Sequence, residues 1–451
     1  MEIRKSQLFD CIIYLGFILL LVIDFIGCVS SNNSFLVFVS FLPTLVLCIY
    51  AFIKSKGFLT IDQMLYVFVF MFCYYTPLHQ YTENANLHHF TSYSDLDYLF
   101  ANLIIFLFLS IYLLVRKYGK KTNKFDNYKF TIRVNTNALL LFCLISIISI
   151  VWLYVNHALF SLADTSNYNE GDSLGIVIVK IVRFLPISAL LLSLMSIRDK
   201  TISGTKLLNY FSLFIICIIC AIIFFPINGT LSRYLLFGTY LMILHTLFEN
   251  SLHKSYIIIA VFLGFYFVFP AFNFFKYNSL SNISAFRLGG FQASFIDYDA
   301  YQMLMQSFHY VSDNSFLWGR NIITALACII PRSIWKGKLN QSGAIMADSY
   351  NASFNNLSCP LFAEFYLAFG ILGVIVLTIF FAKLINSFDS GNRTDNSFFR
   401  AVYSISVGMI IPFARGALLP MTSFWVCLVI SLVACSCVCV ISTKGKRKET
   451  L

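Results

Sequence analysis

Charge is what this chain has least of. Only 12% of its 451 residues are Asp, Glu, Lys or Arg, where an ordinary globular chain carries roughly a quarter. Acidic residues are the scarcer kind, 21 against 32 basic. With 59% of residues apolar and a mean hydropathy of +0.77, that shortage excludes a water-soluble globule. A Pro/Gly/Ser-rich linker is also missing, which excludes a soluble module tethered to the rest and leaves a single integral domain over 1–451. Absence of a Gly-rich phosphate loop, a paired zinc motif or a Gly-x-Ser-x-Gly removes support from nucleotide-driven transport and common hydrolase chemistry. Cysteine is plentiful, at 13, but most lie in apolar runs as small hydrophobes. Cys217-x-x-Cys220 has no His or second pair beside it, so no metal and no cofactor is assigned.

What the chain does have is apolar runs of the length needed to cross about 30 Å of hydrocarbon. They predict an all-α polytopic membrane protein of about twelve spans, near 9–29, 35–53, 61–78, 96–115, 136–160, 174–197, 207–225, 231–248, 255–275, 360–383, 401–414 and 417–441. Met1–Asp10 followed by an apolar run resembles a signal segment, but no small-x-small cleavage site follows, so it is read as an uncleaved first helix.

Basic residues then orient the spans. Alternate connections carry Arg4 and Lys5, Lys54 and Lys56, seven cations in 116–133, Arg198, Lys200 and Lys206, Lys254, Lys383, Arg393 and Arg400, and four between Lys444 and Lys448. These are twenty-two of the 32. Connections 79–95 and 161–173 hold acids and no Lys or Arg. Both termini are therefore expected in the cytoplasm. The +11 net charge is a topology signal, and no nucleic-acid partner is expected.

Ten cations break this pattern: Lys180, Arg183, Arg233, Lys276, Arg287, Arg320, Arg332, Lys336, Lys338 and Arg415 all fall in or beyond the outer half of the membrane. An intramembrane cation costs roughly 2.5–3.5 kcal/mol on insertion scales, so each needs a partner, a wet cavity or an anionic ligand. Snorkelling to headgroups accounts for any one alone; together they converge on an anion. The long connection 276–358 holds a candidate amphipathic helix at Gln292–His309 and a short apolar piece, Asn321–Ile330. Pro331-Arg-Ser-Ile-Trp-Lys-Gly-Lys338 follows, with a helix-stopping proline, an interfacial Trp335 and three cations in seven residues. Arg grips phosphate oxygens with a planar fork and Lys adds point charge, a combination suited to a lipid-linked pyrophosphate. Docking on anionic lipid is the competing reading.

The segment IPRSIWKGK (330–338), then AEFYLAFGILG (363–373) opening the next span, and Arg287 followed by FIDYDAYQ (295–302) resemble the Wzy-type O-antigen or oligosaccharide repeat-unit polymerases. Lys336 stands where a proline is usual after the tryptophan. The resemblance implies a metal-independent C-type glycosyltransferase acting on undecaprenyl-pyrophosphate-linked sugars at the periplasmic face of the bacterial inner membrane. It would work alongside a flippase and a chain-length regulator in the same bilayer. Read this way, Arg287, Arg332, Lys338 and Arg415 hold pyrophosphate, with Arg183 and Arg233 lining the same cavity. Asp299, then Glu364, then His309 are the candidate bases, and Tyr298, Tyr301, Tyr310 and Trp335 the sugar platforms. An O-antigen ligase and a lipid-linked oligosaccharide flippase or other transporter remain as alternatives.

Overall fold

The computed structural model describes residues 5–29, 33–119, 130–159, 173–225, 233–249, 252–277, 291–352, 354–392 and 396–443. Arg287, the cations at 120–129, Arg393 and the basic run from Lys444 lie outside the described residues.

Apolar runs without water to bond must satisfy their own backbones, and here they do so as helices. In chain order these are α1 (Lys5–Val29), α2 (Phe35–Lys54), α3 (Ile61–Phe70), α4 (Thr76–Thr82), α5 (Asp95–Tyr118), α6 (Thr136–Val155), α7 (Ser173–Arg198), α8 (Lys206–Ile223) and α9 (Arg233–Phe248). Then follow α10 (Ser255–Leu263), α11 (Phe269–Tyr277), α12 (Ala300–Asp313), α13 (Arg320–Leu326), α14 (Ser342–Ser349), α15 (Leu361–Asn392), α16 (Ser397–Arg415) and α17 (Leu418–Ser436). Each of the twelve expected intervals falls on helix, and nine helices among the described residues are long and apolar enough to cross a membrane. The other three intervals fall short: α9 has 16 residues, α1 offers the shorter apolar stretch Ile13–Val29, and α10 and α11 are separated by a π turn. Outward-facing Leu141, Ile148, Phe211, Phe214, Leu372 and Phe380 are exposed, an apolar exterior that calls for lipid.

Prolines explain two interruptions. Pro77 and Pro270 have no N–H to offer, and the π turns Met71–Tyr75 and Gly264–Val268 lie just upstream, joining α3 to α4 and α10 to α11. A third break lies inside α15, where Gly370 takes φ +64, ψ −146, a conformation open to glycine alone. The first two turns of α15 thus belong to the long connection. Within that connection the helix expected at Gln292–His309 begins only at Ala300, after a 3₁₀ turn over Ile296–Tyr298. The last apolar run ends at Ser436, short of the expected 441, because Val440–Thr443 pairs antiparallel with Phe130–Arg133.

Two packed cores result. One gathers α2 to α5, α12 and α15; the other gathers α6, α7, α8 and α17. α16 serves both, placing Tyr403, Val407 and Ile410 in the first and Ala401, Ile405 and Met409 in the second. It crosses α9 where Gly238 meets Gly408, and a Cβ on either would stand 2.2–2.3 Å from the other's carbonyl oxygen. At the end opposite the long connection, ion pairs staple the helices: Arg116 to Asp62 at 2.6 Å and to Asp389, and Arg198 to Glu249 at 3.0 Å.

The crossing yields a prediction. Gly408→Val forces α9 and α16 apart and should destabilise the protein by about 1–3 kcal/mol, the usual range for overpacking. An unchanged melting temperature in detergent would show that the two backbones are not in contact.

Candidate functional site

The end of the bundle that carries the long connection, called the loop end here, gathers three polar clusters. The first is built on one face of α12. Asp299, Gln302 and Gln306 recur at helical spacing, and all three meet the 83–94 connection. Gln302 accepts from Leu87 N at 2.9 Å and donates to Ala85 O at 2.6 Å, while Gln306 accepts from Thr91 and Tyr93. Asp299 is 2% exposed; its Oδ2 lies 3.3 Å from His88 Nε2 and accepts from Ser358 N, and its Oδ1 accepts from Arg415 Nη2 at 2.8 Å. Arg415 also donates to Asp297 O and lies over the Tyr234 ring at 4.4 Å. Arg233 pairs with the Asp297 carboxylate. Two of the expected pyrophosphate ligands, Arg233 and Arg415, therefore each face a carboxylate.

The second cluster centres on Glu364, which accepts from Asn321 Nδ2 at 2.8 Å, Ser342 Oγ at 2.6 Å and Leu418 N at 2.8 Å. Leu418 is the first residue of α17, so Glu364 satisfies an otherwise orphaned N–H and gathers α13, α14, α15 and α17 at one point. All three contacts are donors to a buried carboxylate, the signature of a structural buckle.

The third cluster is a cleft of 380 Å³ between α7, the start of α17 and the 328–355 connection. Its cations are Lys180, Arg332 and Lys338, with Asn340, Gln341 and Ser423 among its other walls. Neutral oxygens fix each cation. Lys180 Nζ donates to Ser423 Oγ at 2.9 Å, Arg332 to the carbonyls of Lys338 and Leu339 and to Asn340 Oδ1, and Lys338 Nζ to the carbonyls of Cys328 and Ile330 at 2.8 Å. No acidic residue is among the cleft's described lining, so among the described residues three positive charges converge without neutralisation. Burial, partly offset by the Cys328 thiol, and the Arg332 charge hold the Lys338 ammonium below its ordinary pKa. An anion in the cleft would reverse that shift.

The structure brings Arg332 and Lys338 together and adds Lys180, a residue the charge pattern flags without assigning it to a site. Arg183 lies on the same helix face as Lys180, buried, and donates to Ala158 O; it does not line the cleft. His309 pairs with Asp97 at 3.2 Å. Ten residues along from Asp299, it is separated from it by roughly 15 Å of helix rise. Tyr298 and Tyr301 are core residues and cannot serve as sugar platforms as they stand: Tyr301 donates to Asn102 Oδ1 at 2.9 Å, and Tyr298 packs on Phe269 and Phe291. Aromatic surface comes instead from Phe90, which stacks on His88 and on Tyr350, and from the exposed Phe354 beside His88. His88 itself, 1% exposed in its side chain, is the residue that sequence reasoning missed. Its Nδ1 has no hydrogen-bond partner among the described residues. The available signal was a His88-His89 pair in a connection free of Lys and Arg.

Searches against protein-family models, curated proteins and solved structures found no match for this chain.

Asp299 gives a pH test. Burial alone would raise its carboxyl, but Arg415, His88 and the Ser358 N–H outweigh burial and bring it down from 3.8 to about 2. A depressed folded-state pKa contributes stability that is complete above the unfolded value and is lost as pH falls through the folded one. Asp299→Asn should therefore melt below the wild type at neutral pH, by about 3–5 kcal/mol for a broken buried pair. The gap should narrow as pH drops from about 4 to below about 2. Melting curves of both proteins in detergent check this; a gap constant across that window would rule out the ionised carboxylate as its source.

Proposed function

We propose that this chain is a metal-independent membrane glycosyltransferase that polymerises undecaprenyl-pyrophosphate-linked oligosaccharide repeat units into O-antigen or a related surface polysaccharide. In this reading the chain has about twelve spans in the bacterial inner membrane, both termini are cytoplasmic and the loop end is periplasmic. The observation that carries it is the cleft of Lys180, Arg332 and Lys338, which has no acid in its described lining and draws two of its cations from the segment whose residues resemble the polymerases. An apolar cavity of 140 Å³, walled by Phe68, Phe72, Phe237, Leu241, Val261 and Phe272, offers room for part of a lipid tail.

The transfer requires that an acceptor hydroxyl oxygen attack the anomeric carbon of the donor chain. The bond from that carbon to the pyrophosphate oxygen breaks, the pyrophosphate departs on its lipid, and the hydroxyl proton passes to a base. Fixed, unneutralised cations stabilise charge on a departing pyrophosphate without reorganising. For the base, a carboxylate held near pKa 2 is weak. The role falls instead to His88, with Asp299 holding Nε2 and the buried Nδ1 reached only once the 83–94 connection parts. Residues 355–358 join the two places, because Asn355 lines the cleft and Ser358 N binds Asp299. That is at most about 11 Å of chain. Phe90, Tyr350 and Phe354 supply stacking surface for sugars.

Deleting the gene should leave surface glycan capped with a single repeat. Polymer stranded on its carrier would mean a ligase, single units trapped inside a flippase, and full-length surface polymer would overturn the reading. Restoring the gene as Arg332→Ala or Lys180→Ala should cut chain extension at least about tenfold with the protein still in the membrane, as expected when a charge-stabilising group is removed. Arg332→Lys should rescue poorly, since one ammonium cannot reach the three acceptors that the guanidinium braces. His88→Ala should abolish extension, and wild-type chain lengths in that variant would remove His88 as the base.

A further inference from the structure

Away from the cleft, α1 and α4 bring three different donor types together. Asp24 and Cys28 are four residues apart on α1 and share one face. His79 of α4 faces them, and the Asp24 oxygen, Cys28 Sγ and the His79 ring nitrogen all lie within 4.8 Å of one another. His79 Nε2 and Asp24 Oδ1 stand 3.1 Å apart, yet Nε2 has no hydrogen-bond partner of acceptable geometry, and Asp24 Oδ2 has none either. Tyr75 and Phe291 pack edge-on or tilted around the His79 ring at 4.8 and 5.7 Å and hold its orientation. Cys28 is buried among its neighbours, and Glu83, just beyond α4, adds negative charge.

We propose that Asp24, Cys28 and His79 form a zinc site that clamps α1 to α4 at the loop end. The donor set decides the class of ion. One sulfur, one nitrogen and one carboxylate oxygen suit a borderline-soft divalent metal, whereas magnesium and calcium call for oxygen alone. Bond lengths of about 2.0 Å to N and O and about 2.3 Å to S put tetrahedral ligands roughly 3.3–3.8 Å apart. The observed spread of up to 4.8 Å is closed by drawing the thiolate inward by about an ångström. Three protein ligands leave the fourth position to water. Binding displaces the thiol proton to solvent and leaves the oxidation state of every group unchanged. The site lies on different helices from the cation cleft and does not depend on the transferase reading. Its role is to fix α1, a helix otherwise tied to the bundle by few contacts.

The test uses the full chain purified in detergent, stripped with a chelator and dialysed against limiting zinc. One zinc per chain is expected by elemental analysis, with a rise in melting temperature on reloading. Cobalt in place of zinc should give the visible bands of a tetrahedral ion together with a near-ultraviolet thiolate-to-cobalt band. Cys28→Ser should lose the thiolate band, and His79→Ala should lose stoichiometric zinc while keeping the melting temperature of the stripped wild type. Failure to retain zinc would overturn the proposal. So would zinc retained equally by both variants, which would locate the metal elsewhere, with the exposed Cys437 and its neighbours as the first place to look.

Discussion

A guanidinium buried at the end of a membrane helix needs a partner, and much of the loop end follows from meeting that need. Arg415 ends α16 and Arg233 opens α9, two helices held together backbone to backbone at Gly238 and Gly408. That crossing fixes where the two charges stand. The turn bearing Asp297 and Asp299 is drawn onto them, and with it comes α12, whose polar face then gathers the 83–94 connection through Gln302 and Gln306. Removing one member of such a buried pair leaves an uncompensated charge, typically at 3–5 kcal/mol. The ion pairs are thus the hinge between helix packing and loop structure.

The same reasoning divides the cations that stood out in the sequence. Where a carboxylate meets the cation, as with Arg233 and Arg415, the charge is spent on architecture. Where neutral oxygens meet it, as with Arg332 and Lys338, orientation is fixed and the field remains. Lys180 belongs to the second group because Ser423 holds it and no acid lies along its cleft among the described residues. Charge position alone does not tell the two groups apart. The distinction depends on which residues the fold brings to each cation, such as Asp299, 116 residues away, for Arg415.

Helices were legible in the sequence because hydropathy in a bilayer is nearly a sufficient cause of helix, and nine helices among the described residues are long and apolar enough to span one. Their irregularities were partly legible: Pro77 and Pro270 mark the two π turns, but the Gly370 break sits in a run whose hydropathy is unbroken. The site was less so. Asp299, Gln302 and Gln306 share a helical face that can be read from spacing, whereas the connection they meet has no period to read. Tyr298 and Tyr301, attractive as exposed rings, are buried because the helix that follows the 3₁₀ turn faces inward earlier than the amphipathic pattern suggests. Glu364 stands in a polymerase-like segment and looks available for proton transfer. Its three donors come from α13, α14 and α17, 22 to 54 residues away in the chain.

If the cleft holds a leaving group, as proposed, it also has to let that group go, and the choice of anchor then matters. A carboxylate beside Arg332 or Lys338 would compete with any arriving anion and would have to be displaced at each turnover, while a carbonyl dipole orients the cation and competes weakly. The cost is burial of charge together with repulsion between neighbours, and both, burial first and the Arg332 charge after it, depress the Lys338 ammonium. That repulsion is relieved only while an anion is present. Its relief adds to attraction when the anion carries most charge, which in the proposed transfer is at bond cleavage rather than before it. In the proposed transfer, a cleft of cations braced by carbonyls therefore favours the transition state over the resting complex.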